Sequence, residues 1–135
     1  MEKLAIDAKI ENLPSVTEFV TQALENKNCP MKIIMQMELV IEELFVNIAN
    51  YAYSPKVGSA VVCRDFEENP QALKLIFIDY GKPYDPLEHE DPDITLKAED
   101  RDIGGLGIFL VKKNVDEISY KYEDGKNILT IKKFF

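Results

Sequence analysis

A chain of 135 residues with 46% hydrophobic content is the size of one domain, spanning 1–135, with one ordinary core. Its net charge of -8 excludes a nucleic-acid backbone or an anionic membrane as the main partner, though not a basic protein surface. No apolar run approaches the ~18 residues of a membrane span, and Met1 to Asp7 alternates charged and apolar residues where a signal peptide would be continuously apolar, so a cytoplasmic location is expected.

Lys3 to Ile10 alternates Leu4, Ile6, Ala8 and Ile10 on one side, the pattern of a strand. After the turn Asn12-Leu13-Pro14, Ser15 with Glu18 three residues later reads as a capping box. It opens a helix whose stripe is Val16, Phe19, Val20, Ala23 and Leu24. Pro30 is placed to start a second helix running to about Tyr53, where Ser54-Pro55 and Gly58 break it. Ser59–Phe66 and Leu73–Tyr80 are predicted strands joined by a hairpin connection at Glu67 to Pro70. Gly81 to Ile103 holds three prolines and eight acidic residues with little periodicity, which suits a functional lid. Gly105–Asn114 reads as a third helix, and Ile118–Tyr122 and Asn127–Lys133 as strands around the turn at Asp124-Gly125. Hairpin-linked strands with separate helices define an α+β class: a two-layer sandwich, its sheet mixed but mostly antiparallel, covered on one face by helices.

Three patches carry the chemistry. On a wheel of about 100° per residue, Met37, Ile41, Leu44, Phe45, Ile48 and Ala52 form the apolar arc of the second helix, and Glu38, Glu42 and Ala49 its solvent face. Glu43, Asn47 and Asn50 fall on neither, but on a narrow polar stripe between apolar neighbours, where partial burial is expected. Glu43 and Asn47 are four apart and share one side of the helix. A carboxylate there can serve as a base and an amide oxygen suits Mg²⁺; the plain alternative is a solvated glutamate. Tyr51 either lines the same cleft or, as favoured, is a core aromatic.

The second patch is Asp79-Tyr80-Gly81, at the end of an apolar strand. Asp79 is placed to accept a hydrogen bond from a purine amino group, and Gly81 permits close backbone approach; an ordinary turn is the alternative. The third is Gly104-Gly105-Leu106-Gly107 at the start of a helix, where bare amides bind phosphate. It matches neither a Walker A loop nor a dinucleotide fingerprint, and a hinge or cap is its alternative. Cys29 and Cys63 lack metal or redox spacing and read as buried free thiols.

In this order the patches resemble the Bergerat ATP-binding domain shared by histidine kinases, gyrase B and MutL. Within that group the chain is most similar to small anti-sigma factors that are also serine-protein kinases. The resemblance rests on Glu43-Leu-Phe-Val-Asn47 with Tyr51 and Tyr53, on Asp79-Tyr-Gly81 through Pro86, and on Gly104-Gly-Leu-Gly107 with Val115-Asp-Glu117 and the closing segment from Gly125 to Lys132. It implies Glu43 as general base, Asn47 as Mg²⁺ ligand and Asp79 as the adenine-reading carboxylate. It further implies Gly81 close to the nucleotide, and Gly104, Gly105, Leu106 and Gly107 on the phosphates beside a lid of about 86–104. Asn127 stands where relatives often carry a threonine near the adenine. Arg101 is a candidate lid cation, while the acidic lid would repel phosphate unless its carboxylates face outward. The only histidine, His89, lies in the lid, outside a helical phosphoacceptor context, so an autophosphorylating histidine kinase is not expected.

The function implied is an ATP-dependent serine/threonine-protein kinase and anti-sigma factor. It would bind ATP or ADP with Mg²⁺, phosphorylate an antagonist protein, and as a homodimer sequester a sigma factor. The alternatives are a nucleotide-binding partner-switch module with little kinase activity, and an acidic interaction domain without a ligand.

Overall fold

The computed structural model describes residues 1–88 and 105–135. Its elements are β1 (Glu2–Asp7), α1 (Leu13–Asn26), α2 (Met31–Asn47), β2 (Ser59–Glu67), β3 (Ala72–Asp79), α3 (Gly105–Asn114), β4 (Glu117–Glu123) and β5 (Lys126–Phe134). Short 3-10 turns lie at Ile10–Asn12 and Pro86–Glu88, and a π-helical segment, Ile48–Ala52, extends α2. The lid residues His89 and Arg101, and Gly104, lie outside the described residues.

The five strands form one sheet in the order β1-β2-β3-β5-β4, and every pairing in it is antiparallel. The α+β sandwich expected from the sequence is therefore present, with a wholly antiparallel sheet among the described residues. Strand alternation selects the buried face: Leu73, Leu75 and Phe77 of β3, Ala60 and Val62 of β2, and Leu129 and Ile131 of β5 all point into the core. Against them pack Val16, Val20 and Leu24 of α1, six α2 residues that include Met37, Ile41 and Phe45, and Ile108 and Val111 of α3. Arg64 ties the layers together. Its guanidinium pairs with Glu2 at 2.7 Å, stacks 4.2 Å from the centroid of the Phe19 ring and donates to the Phe19 carbonyl.

Local chemistry sets the boundaries. β1 stops at Asp7, short of the expected Ile10, because the chain turns at Ile10–Asn12 with the Asn12 amide donating to the Asp7 carbonyl at 2.9 Å. α1 begins at Leu13 with Pro14 in its first turn, so Ser15 lies inside the helix and the capping box does not form. α1 ends in a Schellman motif: Cys29 N–H bonds to Leu24 O at 3.0 Å and Asn28 N–H to Glu25 O at 3.0 Å, with Asn28 left-handed at φ 57°. Asp124 and Gly125, at φ 54° and 77°, make the two-residue hairpin between β4 and β5.

Candidate functional site

The inward row of β3 ends on a charge. Leu73, Leu75 and Phe77 are followed on the same face by Asp79, only 7% exposed. Its partner across the ladder on β5 is Asn127, 8% exposed, and these two are the buried polar residues among those described. Asp79 Oδ1 accepts from Asn127 Nδ2 and from the Gly81 backbone N–H, each at 2.9 Å. Oδ2 accepts no hydrogen bond within the described residues and is left open to the cavity that Asp79 lines.

That cavity measures about 520 Å³, within the usual range for a small-molecule site. Leu44, Ile48, Phe77 and Leu129 make its apolar walls, Asp79, Asn127 and Asn47 its polar points, and Tyr51, Tyr84 and Tyr120 line it with aromatic rings. Asn47 closes the last α-helical turn of α2, half-buried, with no side-chain hydrogen bond among the described residues. The expected core position of Tyr51 is overturned: its ring is 66% exposed beside the cavity. Asn50, expected on the partly buried stripe, is exposed. Both departures have one cause. Past Asn47 the helix widens to i→i+5 geometry, each residue turns through a smaller angle, and a wheel drawn at α-helical pitch no longer applies. Glu38 and Glu42 face solvent as the wheel predicts, and Glu43 is half-buried.

The π segment and the end of β3 meet at backbone distance. A Cβ on Gly81 would collide with the Ala52 carbonyl, and Lys82 N–H donates to that oxygen at 3.3 Å. Gly81 is thus required where α2 and the β3 exit touch. Tyr53 fastens the same corner: its hydroxyl accepts from Tyr80 N–H at 2.7 Å and donates to Ser59 O at 2.6 Å, while its ring covers Gly58. Burial pushes the Tyr53 phenol above its ordinary value; the Tyr80 hydrogen bond opposes this and the charge of Asp79 adds to it. Tyr120 is likewise raised, first by burial, so it remains a donor at neutral pH.

Glu43 is not in the cavity wall. One turn before Asn47 on α2, its carboxylate leans on Gly107, in the first turn of α3. The first turn of this ten-residue helix presents backbone N–H groups that have no intrahelical acceptor, and Lys112 and Lys113 complement its other end. The fold thus gathers Asn47, Asp79 and Asn127 around one cavity, sets Gly81 against its edge, and brings Glu43 to Gly107; Gly105 and Leu106 lie in the same α3 turn. Sequence reasoning gave Tyr53, Tyr84 and Tyr120 no site role of their own. The alternation of Ile118, Tyr120 and Tyr122 was the available signal for the last of these.

An antiparallel sheet carrying a buried, half-satisfied carboxylate under a helical layer defines a protein of the Bergerat ATP-binding class. The chain matches the histidine kinase-like ATPase domain family over residues 6–133, nearly its whole length, and belongs to it. Among curated proteins it is similar to the serine/threonine-protein kinase BtrW of Bordetella bronchiseptica, 27% identical over 95 residues, covering 70% of this chain and 66% of the relative. It is similar also to the serine-protein kinase RsbW of Bacillus thuringiensis, 28% identical over 103 residues, and of Bacillus anthracis, 27% over the same length, covering 73% of this chain and 63% of each relative. The matches therefore span slightly under two thirds of the length of these relatives. Among the described residues no helix is long and apolar enough to cross a membrane.

Proposed function

We propose that this protein binds ATP in the 520 Å³ cavity and transfers its terminal phosphoryl group to a serine or threonine of a partner protein. The observation that carries the reading is the open Oδ2 of buried Asp79: an unpaired carboxylate acceptor among apolar walls, suited to an amino group on a flat ring. Asn47, with its amide uncommitted, lies where a hard cation would be shared with phosphate oxygens. Among the described residues no cluster of three His, Cys, Asp or Glu could hold a metal alone, so Mg²⁺ would arrive with the nucleotide, Asn47 its protein ligand, and would neutralise phosphate charge.

The amides at the start of α3, from Gly105 to Gly107, would hold phosphate oxygens. Glu43 takes the proton of the attacking hydroxyl as the new oxygen–phosphorus bond forms and the bond to the ADP oxygen breaks. The substrate is an antagonist protein. The same protein, as a homodimer in the cytoplasm, holds a sigma factor until nucleotide state and antagonist phosphorylation decide the exchange. The names of the relatives, serine/threonine-protein kinase and serine-protein kinase, support the phosphoryl-transfer part of this reading.

The test is thermal unfolding with ADP or ATP, with and without Mg²⁺, in the native protein and in Asp79→Asn. Saturating ligand at a hundred times Kd stabilises by about 2.7 kcal/mol. The expected result is a Mg-dependent rise in Tm that the variant loses, followed by transfer of labelled phosphate to an antagonist. No shift at millimolar nucleotide would remove both binding and kinase activity.

A further inference from the structure

Strand alternation leaves one face of the sheet with no layer over it among the described residues. The helices pack on the face of Leu75 and Phe77. The opposite face carries Val61 of β2, Ile76 and Ile78 of β3, and Ile128 of β5, all half-buried and none of them part of the helix-covered core. Register makes these residues one patch. Val61, Ile78 and Ile128 are neighbours in a single rung, which continues to Ala5 of β1 and Lys121 of β4, and Ile76 lies two residues along β3. The solvated face of an antiparallel sheet is ordinarily polar, so a β-branched aliphatic row across its centre marks a contact surface.

We propose that a second copy of this chain docks on that face, giving a twofold β-sandwich with the aliphatic rung at its centre. The charges beside the rung select this occupant. On β1, Lys3 and Asp7 are both exposed and stand two residues to either side of Ala5, on the same face. A twofold axis laid along the rung sets Val61, Ile78 and Ile128 against their own copies and exchanges the two sides of the rung. Lys3 therefore meets Asp7 of the second copy, and Asp7 meets its Lys3. Lys121, at the end of the rung, is already paired with Glu123 at 3.0 Å. An axis along the central strand β3 would instead set Lys74 on its own copy and bring Asp7 of one edge over Glu123 of the other. Pairing through the edge of β1 is obstructed, because the Asp7 carbonyl already accepts Lys9 N–H and the Asn12 amide, each at 2.9 Å. The inference rests on the homodimer of the reading above and gives it a surface. Asp79 and its cavity lie on the other face of the sheet and stay open.

The experiment is sedimentation equilibrium of the native protein, Val61→Glu, Lys3→Asp, Asp7→Lys and the double variant Lys3→Asp with Asp7→Lys, each shown to be folded by cooperative denaturation. The native chain is expected to be a dimer at micromolar concentration. Val61→Glu sets two carboxylates face to face in an apolar contact and raises the dimer Kd by about a hundredfold or more. Each single charge reversal sets like charges opposite and raises it about tenfold. Lys3→Asp makes the chain more acidic and Asp7→Lys less so, and an effect of net charge alone would move the two in opposite directions. The double variant is expected to recover the native Kd. Positions 3 and 7 of one strand are about 13 Å apart, so recovery reports a contact between copies. If Val61→Glu does not fold, the reversals at the exposed positions decide. Weakening in both single variants with no recovery in the double overturns the inference. A native dimer that every variant keeps also overturns it and leaves the homodimer standing, whereas a native monomer removes both.

Discussion

Glu43 rests its carboxylate on Gly107. A Cβ at that position would come within 2.6 Å of Oε2 and 3.6 Å of Cδ, so the base candidate of α2 fits only because the first turn of α3 carries hydrogen there. Gly107→Ala is therefore expected to move Glu43 rather than to unfold the protein. The atom met is the end of a flexible side chain, and a rotamer adjustment costs about 0.5–1.5 kcal/mol. Tm should fall by only a few degrees. Phosphoryl transfer should fall about a hundredfold, the scale of a 1 Å misplacement of a catalytic group. Denaturation and single-turnover transfer measure the two separately; full transfer would mean that the position of Glu43 does not matter.

Glu43→Gln separates chemistry from binding more sharply. The amide keeps the side-chain shape beside Gly107 and loses the ability to take a proton. Transfer is expected to drop by about 10²–10⁴, the usual contribution of a general base, while the Tm rise with Mg-ADP is kept. Unchanged transfer in the variant removes Glu43 from the mechanism. Absence of transfer in both, with ADP still bound, points to a partner-switch module that works by binding alone.

Gly81→Ala should behave oppositely to Gly107→Ala, although both add one methyl. The added carbon meets the carbonyl of Ala52, and backbone cannot swing aside. The corner between the π segment and the β3 exit must open, which costs about 1–3 kcal/mol as overpacking does. Asp79 and Lys82 move with it, so the denaturant midpoint should fall and Mg-ADP should no longer raise Tm. A variant with native stability and native ADP binding would show that the corner is compliant.

These glycines explain how much was legible in the sequence. The strands of the sheet and the three helices were readable from alternation and helical spacing, and the ends of Gly105–Asn114 agree residue for residue. Asp79 and Gly81 were readable because an acid and a glycine close an apolar run. The pairing of Asp79 with Asn127 was not, since β3 and β5 are 48 residues apart at that rung and no local pattern fixes a non-local register. The π turn was hidden for a different reason. Ile48-Ala-Asn-Tyr-Ala52 has ordinary helix composition, and the wider turn sits where Gly81, remote in sequence, approaches the Ala52 backbone. Hence Asn47 was placed correctly and Tyr51, four residues on, was not.

The two thiols give a prediction with a definite sign. Cys29 and Cys63 are 7% and 2% exposed, and burial pushes both thiols above the ordinary value of 9.0, in Cys63 partly offset by the charge of Lys3. A group whose folded value is raised contributes stability that is complete below its unfolded value and lost as pH climbs through the folded one. Between pH 7 and pH 8 these thiols should leave the denaturant midpoint unchanged. Above about pH 9 the unfolded chain ionises first, and stability should decline with rising pH. The phenols of Tyr53 and Tyr120, raised chiefly by burial, extend the decline beyond their ordinary value of 10.0. In the native protein at pH 8 a disulfide reagent should label both cysteines only at the rate of local opening, and denaturant should make labelling immediate. Rapid labelling of the folded chain would contradict the burial of these two residues.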